Sequence, residues 1–386
     1  MTPPLPRARL ARTSSLVLLQ PTPLCNLDCR YCYLPARDLT RVMSDEVADA
    51  VAQTVGFWSE RHPVTVLWHG GEPLATGVCR LTALLDRFPS GREYPVRHAV
   101  QTNATLIDEA WCRLFRERGI EVSVSVDGPG PGDGRGERGG RVDRGGRVDR
   151  GGRDATGRAL RGIGLLREHG IAFGAIAVVA DPTPHRAAEL HQWFTDLGCR
   201  ILGMNLVERK GVNTQAVQDD QNVADFWAAL AACGRADPRM RLRDVEHARR
   251  YVRAELAGTA GQWASQPVDP LPMVTWDGQV VPVAPDLAGF SSTRHGRFTV
   301  GDVREHGLVG CLARAEDTPW VAEALAGIDA CRTVCDLFAY CRGGQAANKY
   351  FETGRLDVTE TVFCRNSRQL LMEGLMRDAE RTAGKN

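Results

Sequence analysis

Three cysteines on one short stretch, Cys25-Asn-Leu-Asp-Cys29-Arg-Tyr-Cys32-Tyr33, are the residues best able to do chemistry in this chain of 386 residues. Thiolates bind metals, and three of them at x3 and x2 spacing can hold three irons of a [4Fe–4S] cube while the fourth iron has no protein ligand. An open iron can bind and reduce a small molecule, which a cluster held by four cysteines cannot easily do. A structural zinc site would pair two knuckles of matching spacing, but the next cysteine, Cys79, stands alone. Disulfides need an oxidising compartment and would leave one thiol of the trio over. The apolar run before the loop, Ser15–Gln20, is shorter than a signal core of roughly 7–15 residues, and Gln20, Pro21 and Pro23 interrupt it.

A second constellation closes the chain: Cys331-x3-Cys335-x5-Cys341-x22-Cys364. Four thiolates make a complete site for a second [4Fe–4S] cluster, and a zinc ribbon is the alternative because such a site suits zinc too. Cys79, Cys112, Cys199, Cys233 and Cys311 are scattered; Cys199 and Cys311 read as buried structural thiols. Twelve cysteines without a targeting segment point to a reducing cytoplasm and to metal. Net charge is +1, so no basic bias argues for nucleic acid, and no apolar stretch approaches the roughly 20 residues of a membrane span.

The elements that must position these cysteines alternate. Strands are expected at Leu16–Gln20, Val64–Trp68, Arg97–Gln101, Glu121–Val126, Phe173–Val179 and Ile201–Leu206. Amphipathic helices are expected between them at Asp45–Glu60, Leu81–Phe88, Asp108–Arg118, Arg158–His169 and Arg186–Leu197. Such alternation implies parallel βαβ units, an α/β fold, with chemistry at the C-terminal ends of the strands. The cysteine trio follows the first strand. The second runs into His69-Gly70-Gly71-Glu72-Pro73, where glycines allow close approach of backbone to ligand, and carbonyls with a carboxylate can surround an ammonium group. The third ends in Gln101-Thr102-Asn103, the fourth in Ser125-Val126-Asp127-Gly128-Pro129, and the sixth in Met204-Asn205-Leu206-Val207-Glu208. The expected organisation is a tail over 1–13, a barrel over 14–210, bridging helices over 211–265 (near Val223–Gly234 and Asp244–Gly258), a cysteine-rich extension over 266–375 and a tail over 376–386. Within the barrel, 128–153 is low in complexity, with eleven glycines, seven arginines and a tandem Arg-Val-Asp-Arg-Gly-Gly; such sequence buries too little to order itself, so a mobile insertion is expected.

The trio, with Tyr31 and Tyr33 around its last cysteine and Gly70-Gly71-Glu72-Pro73 downstream, resembles the radical S-adenosylmethionine (SAM) superfamily. That resemblance implies a partial (β/α)6 TIM-like barrel and SAM on the open iron of a [4Fe–4S] cluster held by Cys25, Cys29 and Cys32. It assigns the methionine amino group to Gly70, Gly71 and Glu72, and the barrel mouth to Gln101 and Asn103. The cofactor's carboxylate or ribose falls to Ser125 and an arginine, Arg147 keeping the best distance to the next helix and Arg141 being its duplicate. The end of the sixth strand would meet the adenosine. Gly343–Lys349 and Glu360–Cys364 resemble the SPASM extension of radical enzymes that modify peptides. The full extension has seven cysteines and two auxiliary clusters; Met273–Phe290 supplies none of the early ones and Cys311 is the spare, so one auxiliary [4Fe–4S] cluster on Cys331, Cys335, Cys341 and Cys364 is expected. The opening, Leu16 to Pro35, is similar to maturases of ribosomally made peptides, in particular an actinobacterial and cyanobacterial group that forms cyclophanes. The implied partners are a ribosomal precursor peptide and an external electron donor of flavodoxin or ferredoxin type. Thioether formation, epimerisation and sulfatase formylglycine maturation share the radical step; a non-enzymatic iron–sulfur redox or scaffold protein is the reading of another class. With so few residues before the first strand, a leader peptide is expected on a partner protein or on the surface of barrel and extension, where Trp227 and Trp263 are either anchors or core.

Overall fold

The computed structural model describes residues 7–89, 94–129, 147–214, 216 and 220–384. Six strands run parallel and in chain order: β1 (Leu16–Leu19), β2 (Val64–Trp68), β3 (Val96–Thr102), β4 (Glu121–Ser125), β5 (Phe173–Val179) and β6 (Ile201–Leu206). Along β2 and β5 every second residue is buried, Val64, Val66 and Trp68 on one and Phe173, Ala175, Ala177 and Val179 on the other, the period-two pattern of a pleated strand. Between the strands lie α1 (Asp45–Trp58), α2 (Val78–Leu85), α3 (Glu109–Glu117), α4 (Thr156–Glu168) and α5 (Pro184–Asp196). Their starts are set by side-chain caps: Ser44 accepts from the Val47 N–H, Asp108 from those of Ala110 and Trp111, and Thr183 from that of Arg186. On α1 the buried set Val47, Val51, Val55 and Trp58 recurs every three to four residues and lies on the sheet. The expected α/β alternation is present, with β2, β5 and β6 at their expected bounds; α2 starts at Val78 rather than Leu81, since Gly77 (φ +81°) already turns the chain into it. No helix among the described residues is long and apolar enough to cross a membrane.

The sheet continues past β6. After α6 (Asp220–Ala236), β7 (Arg241–Leu242) adds to β6, followed by α7 (Arg243–Leu256) and α8 (Gly261–Ser265). At the opposite edge β8 (Met273–Val274) pairs parallel to β1, and β9 (Val280–Val281) pairs antiparallel to β8. Leu18 N–H donates to Pro272 O at 2.8 Å and Gln20 N–H to Val274 O at 2.9 Å. The start of the expected extension is therefore part of the barrel sheet. The remainder holds a short antiparallel pair, β10 (Ser291–Ser292) with β11 (Gly296–Arg297), and then the helices α9 (Val303–Ala313), α10 (Pro319–Val334), α11 (Phe338–Cys341), α12 (Ala346–Thr353), α13 (Val362–Cys364) and α14 (Leu370–Ala383).

Three segments depart from expectation. In the expected N-terminal tail, Leu10 is buried, forms a bridge with Val268, and its N–H donates to Glu316 Oε1 at 2.7 Å. The expected C-terminal tail is the last turns of α14, which lies on α6; Asp378 there is buried and ion-paired with Arg235. Trp227 on α6 is 1% exposed and donates Nε1–H to Asn366 O at 2.9 Å, so it is core; Trp263 packs with Tyr251 and His247. In the glycine- and arginine-rich insertion, residues 130–146, including Arg141, lie outside the described residues, but 147–153 form a turn on the cysteine loop. Val148 O accepts from Asp28 N–H at 2.7 Å, and Asp149 accepts from the N–H groups of Gly151 and Arg153. Its own carboxylate satisfies the turn, which is why so polar a sequence orders here.

Two glycines on α4 should respond oppositely to alanine. A Cβ on Gly162 would run into Ala104 O and stand 3.1 Å from Ile107 Cβ, whereas nothing lies within 4 Å of one on Gly164. Gly162→Ala is expected to lose about 1–3 kcal/mol and Gly164→Ala to gain about 0.5–1 kcal/mol. Urea unfolding of both variants reads the difference, and equal shifts would contradict the close packing of α4 on Ala104.

Candidate active site at the barrel mouth

One cavity of about 290 Å³ opens at the C-terminal ends of the strands. Cys25, Cys29 and Cys32 line one side, and Gly71, Glu72, Gln101, Asn103, Ser125 and Arg147 line others. Among the described residues expected at the cofactor, Gly70 and Met204 are off the wall; Gly70, at φ +92°, turns the chain, packed against Gln20 and Met273. The cysteine loop is fixed by its backbone: Cys25 N–H donates to Arg37 O at 2.8 Å and Cys32 N–H to Cys29 O at 3.1 Å. Burial pushes the Cys25 thiol up to about 12 and the Cys29 thiol up to about 11.

The glycine loop lies directly on the cysteine loop. Glu72 N–H donates to Leu24 O at 2.7 Å, and Gly71 sits at φ +63° with the carbonyls of Thr22 and Leu24 where a Cβ would be, the latter at 2.7 Å. Only glycine fits both conditions. Glu72 is 1% exposed, and its carboxylate accepts from Leu74 N–H (3.1 Å), Thr102 Oγ1–H (2.7 Å) and Asn103 N–H (2.8 Å). Burial raises its pKa even against those three donors. The loop thus uses this carboxylate to tie β2's exit to β3's. Beyond it, Gln101 Nε2–H donates to Ser125 Oγ at 2.7 Å, and Asn103 Nδ2–H to Asn26 Oδ1 at 2.9 Å.

Arg147 comes to the cavity as its distance from α4 suggested, and it has a partner the sequence did not disclose. Asp127 accepts from Arg147 at both oxygens (Nε 3.0 Å, NH2 3.2 Å), from Tyr31 Oη–H at 2.5 Å and from Val178 N–H at 3.0 Å. Burial alone would lower the Arg147 pKa; Asp127 overrides it and holds the guanidinium protonated. Asp127 lies two residues after Ser125, hence on the same face of the strand end, which is the signal that marks it.

The far wall joins barrel to extension. Lys210, just beyond β6, pairs with Glu208 (3.2 Å) and with Asp286 of the extension (3.0 Å), and lies over the Tyr33 ring. Burial opposes its charge, and the two carboxylates, Asp286 first, keep it protonated. Tyr33 Oη is 3.2 Å from His69 Nε2, whose pKa burial lowers, and Asn348 Nδ2–H donates to Glu208 Oε2 at 2.5 Å. Asn205, Leu206, Val207 and Glu208 line the cavity, whereas Met204 is buried beneath.

Residues 19–194 match the family model of the Radical SAM superfamily. Residues 19–194 therefore carry a radical SAM domain. An uncharacterized protein of Synechocystis sp. is 27% identical over 395 residues, 96% of this chain and 93% of that protein. The serine-type anaerobic sulfatase-maturating enzyme of Klebsiella aerogenes is 33% identical over 227 residues, 55% of this chain but only 51% of the enzyme, so the match spans about half of that relative. Among solved structures, native anSMEcpe with bound AdoMet and Cp18Cys peptide superposes with a TM-score of 0.73 at 18% identity, covering 96% of this chain and 99% of that one. Streptococcus suis SuiB bound to precursor peptide SuiA gives 0.61 at 13% identity, covering 90% and 75%. Both likenesses show the fold: a radical SAM barrel with a C-terminal extension.

In that extension Cys331 and Cys335 lie at the end of α10, Cys341 ends α11 and Cys364 ends α13. Burial first, and then Cys341, Cys335 and Cys331, push the Cys364 thiol up to about 12, so the four stand in one another's field. Among the described residues no three Cys, His, Asp or Glu converge on a point that would hold a single ion. Cys311 is apart from them, fully buried beside Gly301 with its thiol directed to Asp302 O.

In the radical SAM barrel the Arg147–Asp127 pair is the buried contact most exposed to a single substitution. Asp127→Asn should cost about 3–5 kcal/mol in denaturant unfolding, because it leaves a buried guanidinium unpaired. Adding Arg147→Met should then cost little more; a double variant with two full, additive losses would show that the pair is not coupled.

Proposed function

We propose that this chain is a radical SAM peptide maturase that joins an aromatic side-chain carbon to the β-carbon of a nearby residue in a ribosomal precursor peptide, forming a cyclophane. The observation that carries the reading is the single cavity that has three thiols on one wall and the polar strand ends of β2, β3 and β4 on the others. Cys25, Cys29 and Cys32 are assigned to a [4Fe–4S] cluster, and Cys331, Cys335, Cys341 and Cys364 to one auxiliary [4Fe–4S] cluster. When bound, the first supplies the electron that splits S-adenosylmethionine into methionine and a 5′-deoxyadenosyl radical, the oxidant that takes a hydrogen atom from carbon.

The chain's own residues orient and enclose. The backbone at Gly71 and Glu72 offers carbonyls to the methionine ammonium, with Gly70 turning the chain behind them, while Ser125, Gln101, Asn103 and the anchored Arg147 face its carboxylate and ribose. Residues 205–208 form the wall for the adenosine. The Lys210–Asp286–Glu208 group closes the side toward the extension, where a peptide would enter. Forming the C–C bond removes two hydrogens from the peptide: one would end on 5′-deoxyadenosine, and the other would leave as a proton and an electron, the electron being one that a cluster held by Cys331, Cys335, Cys341 and Cys364 could accept. A flavodoxin- or ferredoxin-type donor of a reducing cytoplasm would restore the first electron. The peptides held by anSMEcpe and SuiB support a peptide substrate.

Formylglycine formation is the second reading, favoured by the match to the Klebsiella aerogenes sulfatase-maturating enzyme. The test is reconstituted enzyme with reductant, S-adenosylmethionine and the precursor peptide encoded beside it. A cyclophane maturase gives 5′-deoxyadenosine and a peptide lighter by two hydrogens, silent to hydrazide probes and resistant to backbone fragmentation between the bridged residues. A hydrazide-reactive aldehyde would favour formylglycine, an unchanged mass epimerisation, and no 5′-deoxyadenosine a non-enzymatic module. Cys25→Ala should reduce 5′-deoxyadenosine to background.

A further inference from the structure

Buried cations in this protein come with carboxylates: Arg147 has Asp127, and Lys210 has Glu208 and Asp286. Lys349 is the exception. It lies on α12, 4% exposed, with its ammonium donating to Gly327 O at 3.1 Å and standing 3.6 Å from Cys331 Sγ. Among the described residues no carboxylate is within ion-pair distance of it. The site is shaped for the ammonium, since a Cβ on Gly327 would run into Leu356 O and come 3.0 Å from Lys349 Nζ. A buried charge without a counter-charge is strongly unfavourable. The neighbour that faces its charge is Cys331, whose Sγ stands 3.6 Å from the ammonium.

A neutral Cys331 thiol leaves the ammonium uncompensated, whereas a cysteine that ligates iron is a thiolate, and a [4Fe–4S] cube held by four thiolates carries net negative charge. We propose that Lys349 is the built-in counter-ion of the four-cysteine site and sets the reduction potential of the cluster there. The inference rests on the assignment of Cys331, Cys335, Cys341 and Cys364 as ligands of an auxiliary cluster. Net charge and hydrogen bonds to sulfur are the protein's main levers on such a potential. A fixed positive charge beside one ligand sulfur favours the more negative, reduced form. It thereby makes the site a readier acceptor of the electron that peptide oxidation leaves behind. Lys349 is a positioning and tuning residue, in contact with a ligand and not with the peptide.

The test uses the full chain with Cys25, Cys29 and Cys32 replaced by alanine, so that iron bound reports the four-cysteine site alone. Lys349→Met and Lys349→Arg are compared with the parent by iron and sulfide content, by potentiometric titration followed by electron paramagnetic resonance, and by denaturant unfolding with and without cluster. Lys349→Met is expected to keep its iron and to lower the midpoint potential by at least 59 mV, a tenfold fall in the reduced-to-oxidised ratio at fixed poise; Lys349→Arg should stay near the parent. Without cluster, Lys349→Met should be more stable than the parent, and with cluster the order should reverse. Loss of the cluster in Lys349→Met but not in Lys349→Arg would also support the counter-ion role. An unshifted potential, or equal shifts in both variants, would overturn it. If both variants lose iron, the cluster-free ranking decides, and a Lys349→Met no more stable than the parent sinks the proposal. A parent that binds no iron at all marks failure of the cluster assignment itself, and the inference about Lys349 falls with it.

Discussion

The carboxylate of Glu72, buried between two strand ends, holds the barrel mouth in register. It accepts from the backbone of its own turn and from both Thr102 and Asn103 at the end of β3, while the Glu72 N–H reaches back to Leu24 ahead of the cysteines. A buried carboxylate is tolerable only with such donors, and meeting that requirement joins the loops after β1, β2 and β3 into one assembly. Gly71 completes it by letting the two backbones approach more closely than any side chain would permit. From this point outward the cavity wall follows: Asn103 to Asn26 on one side, Gln101 to Ser125 on the other.

A second assembly mirrors the first with a different partner. Asp127 gathers Arg147, Tyr31 and the Val178 N–H, so the cysteine loop is gripped from β4 as well as from β2. Arg150 adds a third hold, donating to Cys25 O and Arg37 O. The segment after the glycine-rich insertion is therefore a strap across the loop that carries the three thiols. Polar contacts dominate here because the mouth must bind a polar cofactor and still fix its own backbone groups.

What could be read from the chain and what could not divide along physical lines. Val64–Trp68 and Phe173–Val179 announce themselves because a half-buried strand imposes a period of two on its residues. The trio, Gly71, Glu72 and Arg147 stood out by type and spacing, and the structure brings them to one cavity. The last helix did not: Asp378 and Arg381 look like solvated charge, and only the pairing of Asp378 with Arg235, far away in sequence, makes a core element of that stretch. Asp286 left no local trace either, since it reaches Lys210 through the register of β8 on β1 rather than through any pattern of its own. Of the insertion's second half only 147–153 are described, and there Asp149 satisfies its own turn, a contact that a composition of glycine and arginine does not announce.

The pairing of β8 with β1 has a bearing on how the molecule can be divided. β1 lies between β2 and β8, so the strand that launches the cysteine loop is an interior strand only when residues 273–274 are in place. A fragment cut after the sixth barrel strand would leave one side of β1 with unpaired amides and carbonyls, an open template for sticking to another chain. The catalytic barrel is thus not a detachable module with an accessory attached. Its first strand borrows its finishing edge from residues 273–274, well beyond the sixth barrel strand.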